Sequence, residues 1–352
     1  MKLRSALFAV LLGSLFMHGL PETVHAASAS KPAKSQAAAK KTPARAAAPR
    51  KKTAARPAAA KKKTAQRAAP AAAAVSASAL AAEADTPLLL DEHGLPRLGS
   101  SAFYVINADS GEVLLERNAE TSVPIASITK LMTAMVVLDA GLNLRELLTI
   151  DKDDIDTLKG TGSRLGLGTR LSREDMLQLA LMSSENRAAS ALARHYPGGH
   201  AAFIEAMNVK ARLLGLWNTR FHDSTGLNPR NVSSPQDLAR MVAAAAAYPL
   251  IREFSTATER ELEVGGRQLR FGNTNGLVKL PDWSISVSKT GYISEAGRCL
   301  VMQTWLEEQP VVMVLMDSNG VYTRTADAKR VRKWLESDER SQPVSVVASR
   351  KG

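Results

Sequence analysis

The hydrophobic pattern from residue 88 onward changes rhythm twice. Phe103–Tyr104–Val105–Ile106 is a short β-branched and aromatic run, and Val113–Leu114–Leu115 repeats it after the turn residues Asp109–Ser110–Gly111. That pattern predicts a β-hairpin. From Ile128 to Leu138 the apolar positions recur at helical spacing, entered after Pro124. Helices are predicted over Arg173–His195, Ala201–Leu214 and Pro235–Ala247, and Met132, Met135, Met176, Met182 and Met241 fall on predicted helices as core residues. The run Ala243–Ala247 reads as helix packing. Strands return at Ile285–Ser288, Cys299–Thr304 and Val311–Met316, and Thr325–Leu335 closes as a helix. Strands at both ends of a helical middle predict an α+β fold with one antiparallel sheet. No internal repeat is present.

The N-terminal quarter follows neither rhythm. Lys2 and Arg4 precede the apolar stretch Ala6–Leu20, and Val24–His25–Ala26 places small residues at −3 and −1. Residues 1–26 are therefore read as a secretory signal cleaved after Ala26, the alternative being an uncleaved anchor. Both lead to export, and the periplasm is the expected location. Residues 27–86 are Ala, Lys, Arg and Pro and little else. Such a composition buries too little apolar area to offset its ordering entropy, so a disordered linker is expected. The chain's formal charge is +12, and residues 27–82 alone hold thirteen basic residues and no acid. The basicity belongs to this segment and leaves residues 87–352 close to neutral. The segment is either a solvated spacer or a device that draws the protein to anionic envelope polymers. No nucleic-acid partner is expected, because an exported protein does not meet the chromosome. Residues 87–336 form the expected catalytic domain, and 337–352 a polar tail.

Three short motifs carry chemistry, in fixed order: Ser127–Ile128–Thr129–Lys130, Ser184–Glu185–Asn186 and Lys289–Thr290–Gly291. They are S-x-x-K, S-x-N and K-T-G. Each is a weak signal alone; the ordered triple, with the first opening a helix and the last in a strand, is specific. A serine hydroxyl is a poor nucleophile until a base removes its proton. On a helix, residues i and i+3 share a face, so Lys130 reaches Ser127. The lysine must be neutral to act, and burial together with the neighbouring Lys289 would depress its pKa. A helix starting at about Ser127 would present orphan N–H groups to the attacked carbonyl, the Ser127 amide among them. Gly291 would let a substrate backbone approach the strand, and Lys289 and Thr290 would hold a substrate carboxylate.

Other candidates carry less. The six histidines show no metal spacing, and no H-E-x-x-H or C-x-x-C occurs. His222–Asp223 beside Ser224 reads as a loop, since adjacent residues do not face each other. The single cysteine, Cys299, excludes a disulfide framework within one chain and is expected to be a buried thiol.

From about Leu98 to Leu335 the sequence resembles the low-molecular-mass penicillin-binding proteins of the D-alanyl-D-alanine carboxypeptidase and endopeptidase group. The resemblance extends to Ser224–Thr225–Gly226–Leu227, Asn273–Thr274–Asn275, Ser288–Lys289–Thr290–Gly291–Tyr292 and Ala296–Gly297. Ser183–Ala189 and Gly297–Met302 are most similar to the endopeptidase branch. The resemblance implies a penicillin-binding/β-lactamase-like transpeptidase fold, a central antiparallel sheet with a helical subdomain. It implies Ser127 as the acylated nucleophile, Lys130 as its base, and Ser184 as a proton relay to the leaving group. Asn186 would position the substrate amide, Lys289 and Thr290 would hold the acyl donor and its carboxylate, and the Tyr292 amide would be the second oxyanion donor. It implies no metal and no organic cofactor. The expected substrates are peptidoglycan stem peptides, with β-lactams as covalent inhibitors.

Three other functions compete. A carboxypeptidase shares every motif; its relatives carry an extra β-rich domain and a C-terminal amphipathic anchor, for which the 61 residues after Gly291 leave no room. A serine β-lactamase shares the triple, but no E-x-x-L-N follows Asn186; Glu205–Ala206–Met207–Asn208 has the wrong spacing. A non-enzymatic envelope-binding protein would not need an intact triple.

Overall fold

The computed structural model describes residues 88–337; the signal, linker and C-terminal tail expected from the sequence lie outside them, apart from Ser337. The described elements, in chain order, begin with strands β1 (Ser100–Asn107), β2 (Val113–Arg117) and β3 (Val123–Pro124), then helix α1 (Thr129–Asp139). Strands β4 (Leu147–Thr149) and β5 (Arg170–Ser172) precede helices α2 (Arg173–Met182), α3 (Asn186–Arg194) and α4 (Gly199–Leu213). Next come β6 (Val232–Ser233), α5 (Pro235–Ala246), α6 (Pro249–Thr256), β7 (Glu259–Val264) and β8 (Arg267–Gly272). The chain ends on β9 (Ser284–Ile293), β10 (Gly297–Leu306), β11 (Gln309–Ser318) and α7 (Thr323–Leu335).

The main sheet has the order β2-β1-β11-β10-β9 and is antiparallel throughout. The two ends of the domain sequence thus meet in one sheet, as the pattern predicted. Strand side chains alternate faces, and here both faces are covered. Ala102, Tyr104, Val301, Val312 and Val314 pack with the helices of the middle region. Phe103, Val105, Met302, Met313 and Leu315 pack with Val331 and Trp334 of α7. Burial on both faces explains why these strands read as unbroken apolar runs. Buried Asp327 of α7 accepts from the Gly99 and Ser100 amides and the Ser100 hydroxyl, tying the last helix to the first strand.

Local signals explain the helix boundaries. Ser172 caps α2 by accepting from the Asp175 amide, and Ser234 caps α5 in the same way, with Pro235 in its first turn. Two differences from the expected pattern matter. The stretch Arg173–His195 is two helices, broken at Ser183–Glu185, where Ser184 takes φ +60 and the Ser183 hydroxyl bonds Leu179 O. A break that lifts Ser184 out of the helix frees its hydroxyl for other partners. The hairpin β7–β8 and helix α6 were not expected. The hairpin turns on Gly265–Gly266, both at positive φ, the requirement of a two-residue turn between twisted strands.

Candidate active site

Helix α1 is buried on nearly every side from Thr129 to Val137. Ser127 sits just before it in a 3₁₀ turn, Ala126–Ile128, so the α-helix starts two residues later than expected. Ala126 takes φ +48, a left-handed conformation unusual for alanine, and turns the Ser127 side chain out of the core. The turn is held from behind. Thr129 Oγ1 donates to Ala126 O at 2.8 Å and accepts from Asn231 Nδ2 at 3.0 Å, and Thr133 Oγ1 donates to Ser224 O at 2.7 Å.

Gly226, at φ +84, passes so close that a Cβ there would lie 1.9 Å from Ala126 O. Gly226→Ala is therefore expected to displace the nucleophile turn, lowering both Tm and the rate of acylation. Gly168→Ala is the control: φ +77, with nothing within 4 Å of an added Cβ. It should cost only the backbone term of about 1–2 kcal/mol. Equal shifts in Tm for the two variants would show that the Ala126 contact is unimportant.

Lys130 is wholly buried, and its Nζ has three neighbours: Ser127 Oγ at 2.8 Å, Asn186 Oδ1 at 2.7 Å and Thr225 O at 2.7 Å. A neutral amine has two hydrogens and one lone pair. The amide and carbonyl oxygens can only accept, so they take the two hydrogens. The lone pair is left for the Ser127 O–H. Burial pushes the Lys130 pKa down to about 7, against the pull of Asp223 and Glu185. Asp223 itself gathers the Thr225 hydroxyl and the Gly226, Leu227 and Asn228 amides.

Lys289 on β9 is buried as well, donating to Ser184 Oγ at 2.9 Å and to Thr290 O at 3.0 Å. Burial, Lys130 and Arg324 hold its pKa well below the ordinary lysine value. The sequence pattern suggested that Lys289 would depress Lys130; the structure reverses the direction. The repulsion is mutual, and the lysine with the larger total penalty loses its proton first and relieves the other. Thr290 Oγ1 donates to Thr274 Oγ1 at 2.6 Å.

These groups line one groove of about 260 Å³, bounded by Ser127, Ser184 and Asn186 on one side and Thr274, Thr290, Gly291, Tyr292 and Arg324 on the other. β9 is an edge strand, so one edge of it is left unpaired by the sheet. All eight residues singled out from the sequence are brought together: Lys130 and Lys289 lie beneath the groove and the other six on its walls. The reading of Gly291 changes. A Cβ there would meet Ile125 O at 3.0 Å, Ala126 Cβ at 3.1 Å and Ser127 N at 3.2 Å. The space is needed by the nucleophile turn itself, which packs directly on β9.

Two contributors were not foreseen. The Asp223–Asn231 pair that braces the turn lies in the segment read as a loop; its dense Asx and glycine chemistry was the available signal. Arg324, near the start of α7, donates to Gly291 O at 3.0 Å and keeps a buried Nε without a protein partner. Nothing in its local sequence points to the groove 33 residues earlier. Cys299 is buried with its thiol pushed up to about 11 by burial, and it donates to Ala296 O; it takes no part in the groove.

A family model described as D-alanyl-D-alanine carboxypeptidase, Peptidase_S11, matches residues 91–320. A D-alanyl-D-alanine endopeptidase of Pseudomonas aeruginosa is 48% identical over 251 residues, covering 70% of this chain and 81% of its own. The Escherichia coli protein of the same name is 47% identical over 255 residues, covering 72% and 82%. The Streptomyces K15 DD-transpeptidase superimposes with a TM-score of 0.63 at 28% identity, covering 68% of this chain and 97% of that one. Fold and groove together define a serine DD-peptidase of the penicillin-binding class. The chain belongs to the D-alanyl-D-alanine carboxypeptidase family, peptidase S11.

Proposed function

We propose that the protein is a DD-endopeptidase that hydrolyses D-alanyl cross-links in peptidoglycan through an acyl-enzyme on Ser127. The observation that carries the chemistry is the buried Lys130 amine, whose two hydrogens are taken by obligate acceptors and whose lone pair faces Ser127 Oγ. Lys130 takes the Ser127 proton as Oγ attacks the D-alanyl carbonyl. The charge on the carbonyl oxygen is received by the Ser127 and Tyr292 amides. The C–N bond breaks as the proton held by Lys130 passes by way of Ser184, bonded to Lys289, to the departing amine, which leaves Lys130 neutral again. Asn186 positions the substrate amide. Lys289, Thr290 and the free Nε of Arg324 hold the carboxylate beside the scissile bond, which restores charge to Lys289. Water then attacks the ester with Lys130 again as base. β-Lactams enter the same path and stop at the ester.

Cleavage of cross-links rather than removal of a terminal D-alanine is supported by the relatives: those at 48% and 47% identity carry the endopeptidase name, and the Escherichia coli carboxypeptidase DacA is 30% identical. Digestion of defined muropeptides is the test. Cross-linked dimers should fall to monomers faster than uncross-linked pentapeptides release D-alanine. The reverse preference would make the protein a carboxypeptidase, and cleavage of neither would sink both readings.

The location that fits these substrates is the periplasm, reached by export on residues 1–26. The thirteen basic residues of 27–82 then face anionic envelope polymers. Each gains about 1 kcal/mol near an anionic membrane surface, screened beyond about 8 Å at physiological salt. Removing 27–82 should weaken binding to isolated sacculi at low salt and leave hydrolysis of a small muropeptide unchanged. Equal binding with and without the segment would make it a plain spacer.

A further inference from the structure

Asn186 Oδ1 is one of the two acceptors that leave the lone pair of neutral Lys130 to Ser127. An amide side chain is nearly symmetric in shape, and its two ends differ only in that one accepts and the other donates. With Lys130 protonated, the ammonium can only donate, so it holds Oδ1 toward itself. With Lys130 neutral, that constraint is gone. A flipped amide would donate an Nδ2 hydrogen to the lone pair and take it from Ser127. A group outside the Lys130–Asn186 pair has to hold the amide in place when the base is ready to act.

The loop before β5 supplies it. Asn186 Nδ2 donates to Thr161 Oγ1 at 3.0 Å. The Thr161 hydroxyl has one proton, and that proton goes to Asp156 Oδ2 at 2.7 Å. Asp156 also accepts the Thr161 amide at 2.7 Å and the Leu158 and Lys159 amides at 2.8 and 2.9 Å. Burial pushes the Asp156 pKa up, but the hydrogen bonds from Lys159, Thr161 and Leu158 outweigh it and hold the carboxyl below its ordinary value. Asp156 is therefore an anion across the neutral range and can only accept. Thr161 Oγ1, its proton committed to Asp156, can only accept from Asn186. The flipped amide would set Oδ1 against Oγ1, two acceptors with no hydrogen between them.

We infer that Asp156 and Thr161 are positioning residues for the base: the chain Asp156–Thr161–Asn186 fixes the polarity of the Asn186 amide and keeps the lone pair of neutral Lys130 free for the Ser127 proton. This role rests on the reading of Lys130 as the base. Neither residue lines the groove or bonds Lys130, so both act through Asn186. The charged groups that face Lys130 are Asp223, Glu185 and Lys289, and a substitution at Thr161 alters none of them.

The lock acts on one protonation state only, which gives it a signature. Its loss adds a flipped, inactive form to neutral Lys130 and nothing to the protonated form, because the ammonium orients the amide by itself. The ratio of active neutral base to protonated base is unchanged, so acylation on the acid side is unchanged. At high pH the flipped form draws population from the active one, and the plateau falls. The midpoint of the rise moves down by the same factor, because whatever stabilises the neutral amine lowers its pKa. A loop that only kept the groove in shape would lower acid side and plateau together and leave the midpoint in place.

The test is the first-order rate constant of acylation by excess benzylpenicillin, followed across the acid and neutral range in the full chain and in Thr161→Val, Thr161→Ser and Asp156→Asn. A rate constant does not depend on the folded fraction, which end-point labelling reports separately. Thr161→Val should lower the plateau by about tenfold, the scale of one hydrogen bond, and move the midpoint down by about one pH unit from about 7. Its rates near pH 5 should stay within about twofold of the wild type. Thr161→Ser keeps the hydroxyl and should match the wild type in plateau, midpoint and acid rates. Asp156→Asn releases the Thr161 proton to the amide oxygen and should repeat the Thr161→Val profile. A Thr161→Val profile that is lowered equally at every pH, or not at all, overturns the lock. So does a Thr161→Ser variant that behaves like Thr161→Val, or an Asp156→Asn variant with the wild-type profile. A wild type that is acylated with no rise toward neutral pH overturns Lys130 as the base, and the lock with it.

Discussion

Ser127→Ala is expected to abolish covalent labelling by benzylpenicillin and to lower muropeptide hydrolysis by about 10⁴- to 10⁶-fold, the range seen when an acyl-enzyme nucleophile is removed. Among the described residues Lys130 has no other hydroxyl at hydrogen-bond distance; its remaining neighbours are an amide and a carbonyl oxygen, neither a nucleophile. Stability should change by no more than about 1 kcal/mol, because Ser127 is half-buried in the groove wall and the deletion removes one small hydroxyl. Mass spectrometry of the labelled wild type should place one adduct on the peptide that contains Ser127. A stoichiometric adduct on any other residue, or labelling that persists in Ser127→Ala, would dismiss the assignment.

Lys130→Arg should cost about 10²- to 10⁴-fold in acylation, the usual share of a general base. Arginine keeps the charge and the hydrogen bonds to Asn186 and Thr225 but cannot surrender its proton. The wild type should show the base in its pH profile. Lys130 is active when neutral, and burial brings its pKa from 10.5 to about 7. Acylation should therefore rise about tenfold per pH unit below that value and level off above it. In Lys130→Arg this limb should vanish. Lys289→Arg should retain more activity, since the charge that meets a carboxylate is preserved there. Comparable losses at 130 and 289, or a wild-type profile flat from pH 5 to 8, would show that the roles of the two lysines are wrongly divided.

The sheet and most of the helices were legible because their signals are local. The strands β1, β10 and β11 are apolar runs bounded by turn residues, and α1 carries an apolar pattern that few other structures satisfy. The hairpin β7–β8 was equally legible in its Leu262, Val264, Leu269 and Phe271 alternation around Gly265–Gly266, but six charged residues mask the apolar stripe. The break between α2 and α3 was not. Ser183 and Ser184 are tolerable inside a helix, and only their partners, Leu179 O and the Lys289 amine from β9, make the turn favourable.

Residue types and their order along the chain were enough to name Ser127, Lys130, Ser184, Asn186, Lys289, Thr290, Gly291 and Tyr292, because nucleophile, base and carboxylate anchor are defined by chemistry that each side chain carries by itself. What those groups do to one another required the fold. A pKa depends on burial and on charges tens or hundreds of residues away, so the lowered pKa values of Lys130 and Lys289 follow from packing the turn before α1 against β9. Contacts at long sequence separation decided the rest: Asn231 behind Thr129, Gly226 against Ala126, Arg324 beside Gly291 and Thr161 against Asn186. No local pattern encodes such pairs, since each arises only when distant segments are brought to the same few ångströms by the burial of both faces of one sheet.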